Sequence, residues 1–255
     1  MLRPRMIPAL TLRDDGLVKT KNFSNEKYVG DPLNAVRIFN ELSCDELIFL
    51  DIDATVKKHE PNFKLIERIS SECRMPLCYG GGVKTLGHAE KILSLGVEKI
   101  SVSSIIFENK KFINEVSSII GSQSLVVCLD IKRNFFTKKY ECFVENGKRK
   151  VKEDLNFIIK RVQEEGAGEI LLNSIDRDGT RLGFDHELIS NIIHNLSIPL
   201  TVCGGAKDFN SFSNVYKQYG TIGAAAGSMF VFQGKFDAVL INYPEDSKKR
   251  NIMEQ

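Results

Sequence analysis

The stretch LIFLDIDAT (residues 47–55) recurs half a chain later as ILLNSIDRD (residues 170–178), and this internal repeat decides the fold. Gly82 and Gly205 follow the two copies and are 123 positions apart. The same displacement relates two further pairs of segments: PLCYGGGVK (76–84) to PLTVCGGAKD (199–208), and KISVSS (99–104) to IGAAAGS (222–228). A constant displacement over separated segments indicates that two similar halves have been fused.

Each half alternates short apolar runs with segments of helical period, which is typical of βα units. The runs lack period-2 alternation, as expected of parallel strands buried on both faces. The sequence therefore predicts an α/β fold, a single (β/α)₈ TIM barrel built from two half-barrels, over residues 1–242. Residues 243–255 are predicted to form a charged, frayed tail. The predicted strands cover residues 5–10, 46–51, 76–79, 99–103, 125–130, 169–173, 199–203 and 221–225.

Two connections are too long to be simple turns. Residues 13–31 follow the first strand, and residues 133–153 follow the fifth and contain a hairpin signal at Glu145-Asn146-Gly147. Both leave the carboxyl ends of strands, where the active sites of such barrels lie. We interpret them as lids, with surface elaboration as the alternative.

Composition and charge exclude several classes of protein. The net charge of +2 gives no argument for a nucleic-acid or membrane partner, and no apolar run is long enough to span a bilayer. The six cysteines show no zinc or redox spacing, which favours free thiols in a reducing cytoplasm. No metal site and no cofactor are expected, because the four histidines are scattered: His59, His88, His186 and His194.

Glycine-rich turns follow the third and seventh predicted strands. Glycine lets backbone N–H groups approach an anion closely, and a following helix N-terminus favours negative charge. Small and hydroxyl residues at the end of the next strand would complete a phosphate-binding cup in each half; plain tight turns are the alternative. Two cups indicate a phosphorylated or nucleotide-activated small-molecule substrate. The predicted phosphate-binding residues are Gly81, Gly82, Ser103, Ser104, Asp178, Gly179, Gly204, Gly205, Gly227 and Ser228.

Carboxylates also end several predicted strands. Asp130 follows an apolar run, which should raise its pKa and suit it to general acid–base catalysis. Asp176 and Asp178 have turn or capping roles as an alternative. The other candidates are Asp51 and Asp53.

Four charged residues lie at the opposite ends of strands, at or near their starts. In a barrel these positions converge on the bottom opening, where alternating charges could form a ring of salt bridges. Spacing alone favours the alternative of four unrelated, solvated charges. The four residues are Arg5, Glu46, Lys99 and Glu169.

Longer motifs carry a resemblance to a known family. They are RMIPAL (5–10), DELIFLDI (45–52), GSQSLVV (121–127), GAGEILL (166–172), SIDRDGT (174–180) and AAAGSMF (224–230). Through them the chain resembles the cyclase subunit of imidazole glycerol phosphate synthase. The resemblance implies a (β/α)₈ barrel that binds a glutaminase subunit at its bottom and receives ammonia through its axis. It also implies that the family's ammonia gate falls on Arg5, Glu46, Lys99 and Glu169, in place of four unrelated charges.

The chain departs from the family at the active site. The resemblance places catalytic residues at Lys19 and Asp130, which are retained. Thr11 occupies the position of the family's first catalytic Asp, and threonine does not titrate near neutrality. Ser103 replaces the family's Asn. The acid–base pair for ring closure is therefore broken, while the gate is intact.

This combination resembles a branch of paralogues associated with surface-polysaccharide (lipopolysaccharide) gene clusters. These paralogues accompany a glutaminase and a third amidotransferase-like protein, and are implicated in converting a sugar N-acetyl group to an acetamidino group. The prediction is an ammonia-channelling subunit of such a glutamine-dependent system, heterodimeric with its glutaminase.

Three alternatives remain open. The first is an authentic cyclase of histidine biosynthesis in which Asp14, Asp15 or water covers for Thr11. The second is a non-enzymatic scaffold that binds phosphate and activates a glutaminase. A sugar-phosphate isomerase of the same pathway is weaker, because it also needs paired aspartates at these strand ends.

Overall fold

Eight parallel strands close into a barrel, which confirms the predicted fold. The computed structural model describes residues 3–253. Each barrel strand pairs in parallel with the next, and the eighth pairs with the first. The barrel strands are β1 (Arg5–Arg13), β2 (Leu47–Asp51), β3 (Leu77–Gly80), β4 (Lys99–Val102), β5 (Leu125–Arg133), β6 (Glu169–Ser174), β7 (Leu200–Cys203) and β8 (Gly223–Ala226).

The described residues leave out Met1 and Leu2 of the predicted barrel domain, and Glu254 and Gln255 of the predicted tail.

Helices follow the strands and cover the barrel. Most of the longer ones begin after a polar residue whose side chain accepts a hydrogen bond from a first-turn backbone N–H group, which the helix itself leaves unpaired. These capping residues are Asp31, Asn62, Thr85, Asp154, Asp185 and Asp208. The helices are α1 (Pro32–Glu41), α2 (Phe63–Glu72), α3 (Leu86–Ser94), α4 (Ile105–Glu108), α5 (Phe112–Ile120), α6 (Leu155–Glu164), α7 (His186–Ile193), α8 (Phe209–Tyr219), α9 (Ser228–Val231) and α10 (Asp246–Met253), with a 3₁₀ turn at Ser122–Ser124.

The apolar core has two parts, because successive strand residues point to opposite faces. The larger part lies between the strands and the helices. The smaller part lies inside the barrel and is built from short and medium side chains. Its buried members are Ile7, Ala9, Ile48, Cys78, Val126, Cys128, Leu171 and Ala225.

Both long connections fold into β-hairpins at the carboxyl ends of the strands. Strands Gly16–Lys21 and Ser24–Gly30 continue antiparallel from β1. Strand Tyr140–Val144 pairs antiparallel with β5 and with Arg149–Lys150. The turn between the last two contains Glu145, Asn146 and Gly147 at φ of 57°, 57° and 75°, as the hairpin signal predicts. A further small hairpin joins Phe232–Gln233 to Ala238–Val239.

The segment after residue 242 packs on the barrel rather than fraying. The Tyr243 side chain is buried, and its hydroxyl donates a hydrogen bond to the carbonyl oxygen of Met6 at 2.8 Å. Lys249 of α10 forms an ion pair with Asp45 at 3.0 Å. The charge content of this segment predicts a frayed tail. It does not reveal that Tyr243 and Lys249 have buried partners.

Candidate active site and charged ring

A single pocket of about 320 Å³ at the carboxyl ends of the barrel strands brings together the predicted catalytic and phosphate-binding residues. Both hairpins contribute to its rim, which supports their interpretation as covers of the site. The predicted site residues that line it are Thr11, Lys19, Gly81, Gly82, Ser103, Ser104, Asp130, Asp178, Gly179, Gly204, Gly205, Gly227 and Ser228.

Glycines form matching turns on two sides of this pocket. Gly81 and Gly204 have φ of 116° and 98°, a region that side-chain-bearing residues rarely adopt. A Cβ at Gly81 would overlap the carbonyl oxygen of Asp51, and a Cβ at Gly204 would lie 2.7 Å from that of Ser174. These turns therefore require glycine, and they bring bare backbone to the pocket in both halves.

Asp130 lies at the pocket wall beside Asn173, its register partner on β6. The Asn173 amide donates a hydrogen bond to Asp130 Oδ1 at 2.8 Å. Burial raises the pKa of Asp130 to about 6, although this hydrogen bond acts in the opposite direction. A carboxyl group that titrates near neutrality can both donate and accept a proton, as general acid–base catalysis requires.

Lys19 reaches from the first hairpin into the second half of the pocket. Its ammonium group donates a hydrogen bond to the carbonyl oxygen of Ala9, and a Cβ at Gly227 would overlap it. Burial lowers the pKa of Lys19 to about 8, while the charge of Asp178 acts in the opposite direction. Lys19 therefore places a titratable positive charge beside Gly227, which follows the eighth strand.

The Asp178 carboxylate contacts the first hairpin. It accepts hydrogen bonds from Thr20 Oγ1 at 2.9 Å and from the backbone N–H of Phe23 at 3.3 Å. A Cβ at the neighbouring Gly179 would overlap the carbonyl oxygen of Thr20. The phosphate-binding role of Asp178 and Gly179 stays a prediction; their observed contacts hold the hairpin against the pocket.

Thr11 has neither of the two loop acids, Asp14 or Asp15, beside it in the pocket. Its hydroxyl donates a hydrogen bond to the carbonyl oxygen of Val18 in the first hairpin. Asp14 pairs instead with Lys57 at 2.7 Å, and Asp15 accepts from Asn62 at 2.7 Å, both on the exposed surface. Neither is among the residues that line the pocket.

The remaining candidate acids have structural partners. Asp53 forms ion pairs with Arg13 at 2.9 Å and with Lys57 at 2.6 Å. Asp176 accepts a hydrogen bond from the backbone N–H of Arg133 at 2.7 Å. Asp51 lines the pocket, where burial raises its pKa, but its Oδ1 accepts from the backbone of the following turn at 3.0 Å.

At the other end of the barrel, four charged side chains form a closed ring. Lys99 contacts Glu46 at 3.0 Å and Glu169 at 2.9 Å. Arg5 contacts Glu169 at 2.6 Å and also pairs with Glu46. Both carboxylates are buried, and the charges of Arg5 and Lys99 outweigh that burial and hold the pKa of Glu169 below its usual value. A Cβ at Gly223 would lie 3.0 Å from Arg5 Nη2, so glycine makes room for the guanidinium.

Several pocket residues were not predicted from the sequence. Asn173, Thr20, Phe23 and Asn146 line the pocket, and the Asn146 amide donates to the carbonyl oxygen of Ile52 at 2.7 Å. Only Asn173 could have been found from the sequence. It is a polar residue at the end of a predicted strand, whereas the residue 123 positions earlier, in the first half, is the apolar Leu50.

Residues 3–253 contain no cluster of three or more metal-binding side chains of the His, Cys, Asp or Glu type. Within the same residues, no helix combines the length and apolar character needed to cross a membrane.

The fold and the pocket define an eight-stranded TIM barrel whose candidate active site lies at the carboxyl ends of the strands. The model of the histidine biosynthesis protein family matches residues 5–237. The chain belongs to this family and, within it, to the HisF-type cyclase subunits, a class of enzyme subunits.

Individual relatives refine this placement. The chain is 54% identical over 254 residues, with 100% of this chain and 98% of the relative covered, to the "Putative imidazole glycerol phosphate synthase subunit hisF3" of Vibrio vulnificus. It is 48% identical to the protein described likewise as subunit hisF2 of Pseudomonas aeruginosa, with 97% and 98% covered. It is 34% identical to "Imidazole glycerol phosphate synthase subunit HisF" of Lactococcus lactis subsp. cremoris, with 90% and 89% covered. The higher identity to numbered copies agrees with the predicted paralogous branch.

Proposed function

We propose that this chain is the ammonia-conducting barrel subunit of a glutamine-dependent amidotransferase system that converts a sugar N-acetyl group to an acetamidino group. The reaction replaces the amide oxygen by nitrogen from ammonia and releases water. The observation that carries the proposal is the pairing of an intact charged ring with a pocket that retains Asp130 but has Thr11 at the position of the family's first catalytic Asp.

The barrel interior supports passage of ammonia. The ring closes one end of the axis, and short and medium apolar side chains, among them Ala9, Cys78 and Ala225, line the barrel interior. An apolar lining favours neutral ammonia over the ammonium ion, because burying an unpaired charge is costly. Ammonia that passes the ring would arrive beside Asp130.

The pocket supports a reaction that needs one titrating acid. Ring closure in the related cyclases requires two aspartates, and the Thr11 hydroxyl is committed to the carbonyl oxygen of Val18. Activation of an amide oxygen needs one group able to donate a proton, and the pKa of Asp130, about 6, suits it to this role. The glycine turns and Lys19 would hold anionic groups of the substrate.

The partners follow from the ring and the reaction. A glutaminase subunit would bind the barrel bottom around the ring and supply ammonia, and a third amidotransferase-like protein completes the proposed system. Six unpaired cysteines support a cytoplasmic location.

A second candidate is an authentic cyclase of histidine biosynthesis. It is favoured by the raised pKa of Asp130 and by the retention of every predicted phosphate-binding residue in one pocket. In that case water held near Thr11 would take the place of the missing carboxylate.

The test is turnover of the cyclase family's ribulosyl bisphosphate substrate with excess ammonium chloride. We expect no imidazole product from the native chain and measurable product from Thr11→Asp. Thr11→Asn, which has a similar shape but no titrating group, is the matched control and should remain inactive. Adding Asp130→Asn to Thr11→Asp should abolish the gained activity.

Turnover by the native chain would overturn the amidination proposal and establish the cyclase. A scaffold without chemistry would give a different result: glutaminase stimulation that survives Asp130→Asn and is lost in Arg5→Leu, with no turnover of any amide substrate.

A further inference from the structure

Asn173 carries an unexplained buried polar atom inside the pocket. The residue is 8% exposed and lines the pocket at the end of β6. The Oδ1 atom has no hydrogen-bond partner within the described part of the chain. Buried polar atoms in native proteins almost always have partners, so an orphaned acceptor at a pocket wall points to a ligand that supplies the donor.

The orientation of this amide is fixed by Asp130. The Asn173 Nδ2 group donates to Asp130 Oδ1 at 2.8 Å, so that Asp130 Oδ2 is the oxygen that carries the proton when the carboxyl group is neutral. In this arrangement Asn173 Oδ1 is the free atom. A carbonyl oxygen can only accept a hydrogen bond, which excludes a carbonyl oxygen or an unprotonated phosphate oxygen of the ligand as its partner.

The neighbouring carboxyl group narrows the choice of ligand. Asp130 and Asn173 are register partners on adjacent strands, so a group that touches one lies within reach of the other. Burial raises the pKa of Asp130 to about 6, so below that pH its protonated carboxyl group donates a hydrogen bond. The pair thus presents a donor for an oxygen atom and an acceptor for an N–H or O–H group, and in the proposed reaction the N–H group is supplied by the amide or by ammonia.

We infer that Asp130 and Asn173 form a two-point binding site for the nitrogen-bearing centre of the substrate, in which Asn173 Oδ1 accepts a hydrogen bond from an N–H group. This inference rests on the proposed function and deepens it, because it places the acyl group inside this barrel. The N–H group belongs either to the substrate amide or to the ammonia that adds to its carbonyl carbon.

The first half of the barrel supplies the reference for this site. The register pair equivalent in position is Thr11 and Leu50, which has neither a titrating acid nor an amide. Asn173→Leu therefore installs a side chain that the other half already accommodates at this level of the barrel. It removes the Oδ1 acceptor together with the Nδ2 group that donates to Asp130, and it leaves the glycine turns untouched.

The experiment measures dissociation constants for N-acetylglucosamine 6-phosphate and 2-deoxyglucose 6-phosphate, which share a phosphate but differ in the amide. If the amide supplies the N–H group, the native chain should prefer the N-acetyl compound about tenfold, or about 1.4 kcal/mol. The preference should fall below about twofold in Asn173→Leu. Inorganic phosphate should bind both proteins equally, which verifies that the variant is folded and its cups intact.

A second arm tests ammonia as the source. The side-chain NH₂ resonances of Asn173, identified by their loss in Asn173→Leu, are followed during titration with ammonium chloride near pH 9 and, as a control, sodium chloride. A shift with ammonium alone, together with no preference for the N-acetyl compound, would assign the N–H group to ammonia.

The site is overturned if neither arm responds, or if the preference persists in Asn173→Leu. These outcomes differ from failure of the proposed function, which appears as native turnover of the cyclase substrate. A barrel that binds inorganic phosphate but shows neither response would mean that the acyl group is not held at Asp130 and Asn173.

Discussion

The first and second halves of the barrel place glycines at equivalent positions, Gly81 and Gly204, against the carbonyl groups of equivalent residues, Asp51 and Ser174. Yet the strand ends beside these turns differ completely. The first half pairs Thr11 with Leu50, and the second pairs Asp130 with Asn173. The duplicated backbone has thus been retained where a side chain would collide with it. The side chains that face the ligand have diverged.

In the charged ring at the bottom of the barrel, both halves supply an acid but only the first half supplies the bases. Its acids, Glu46 and Glu169, are again 123 positions apart, one from each half. Both bases, Arg5 and Lys99, come from the first half, and Ile222 stands where a second Lys99 would be. The first half therefore supplies positive charge at the bottom, whereas the second supplies the titrating acid at the top. Neither half alone contains the machinery of both ends.

The largest effect should follow from removing one base of the ring. Arg5→Leu leaves two buried carboxylates facing each other, so we expect a loss of about 4 kcal/mol in the free energy of unfolding, measured by urea titration. The pKa of Glu169 is lowered in the folded state, so the ring stabilises the fold above the pKa of an unfolded carboxyl and loses this effect as pH falls.

The difference between native chain and Arg5→Leu should therefore shrink below about pH 4. Lys99→Met is the matched comparison within the ring. It should cost less, because Arg5 also donates to Thr201 at 3.2 Å and packs over Gly223. Equal losses for the two variants would contradict this account of the ring.

The shared backbone predicts equal effects in the two halves. Gly81→Ala and Gly204→Ala should each cost about 3 kcal/mol, because both combine a strained φ with a collision against backbone. Gly220→Ala is the control: its φ is 74°, but nothing lies within 4 Å of the added Cβ, so about 1 kcal/mol is expected. A clear inequality between Gly81→Ala and Gly204→Ala would break the equivalence of the halves.

Replacing Asp130, the titrating acid of the second half, should increase the free energy of unfolding. The folded chain retains the Asp130 proton up to about pH 6, whereas an ordinary carboxyl has a pKa of 3.8. Ionisation of Asp130 therefore destabilises the fold progressively as pH rises between these values. Asp130→Asn should be about 2 kcal/mol more stable than the native chain at pH 8 and no more stable at pH 4, measured by thermal unfolding.

Thr11→Val is its counterpart in the first half and should show no such pH dependence, because no titrating group is removed. A stability gain for Asp130→Asn that is constant from pH 4 to 8 would show that packing, not ionisation, is responsible.

The barrel could be predicted from the sequence because its signals are local or periodic. The repeat, the buried runs and the positions of Gly81 and Asp130 needed no knowledge of contacts between distant residues. The partners of the polar groups could not be predicted in this way. That Asp53 pairs with Arg13, or that Asn173 lies against Asp130, depends on strand register and side-chain orientation, which the chain sets only when the barrel closes.

The smallest expected effect concerns the two phosphate-binding cups, which differ at the equivalent positions Ser104 and Gly227. A Cβ at Gly227 would overlap the ammonium group of Lys19 and lie 2.9 Å from the carbonyl oxygen of Ala9, so Gly227→Ala should displace Lys19 and weaken binding of inorganic phosphate about tenfold. Ser104→Ala removes only a hydroxyl and should change binding by less.

The pKa of Lys19 is about 8, so phosphate affinity in the native chain should fall as pH rises through this value. That fall should be absent in Gly227→Ala, because Lys19 no longer contributes. Phosphate binding with the same pH profile in both proteins would mean that Lys19 acts elsewhere in the pocket, and that the asymmetry of the cups has another cause.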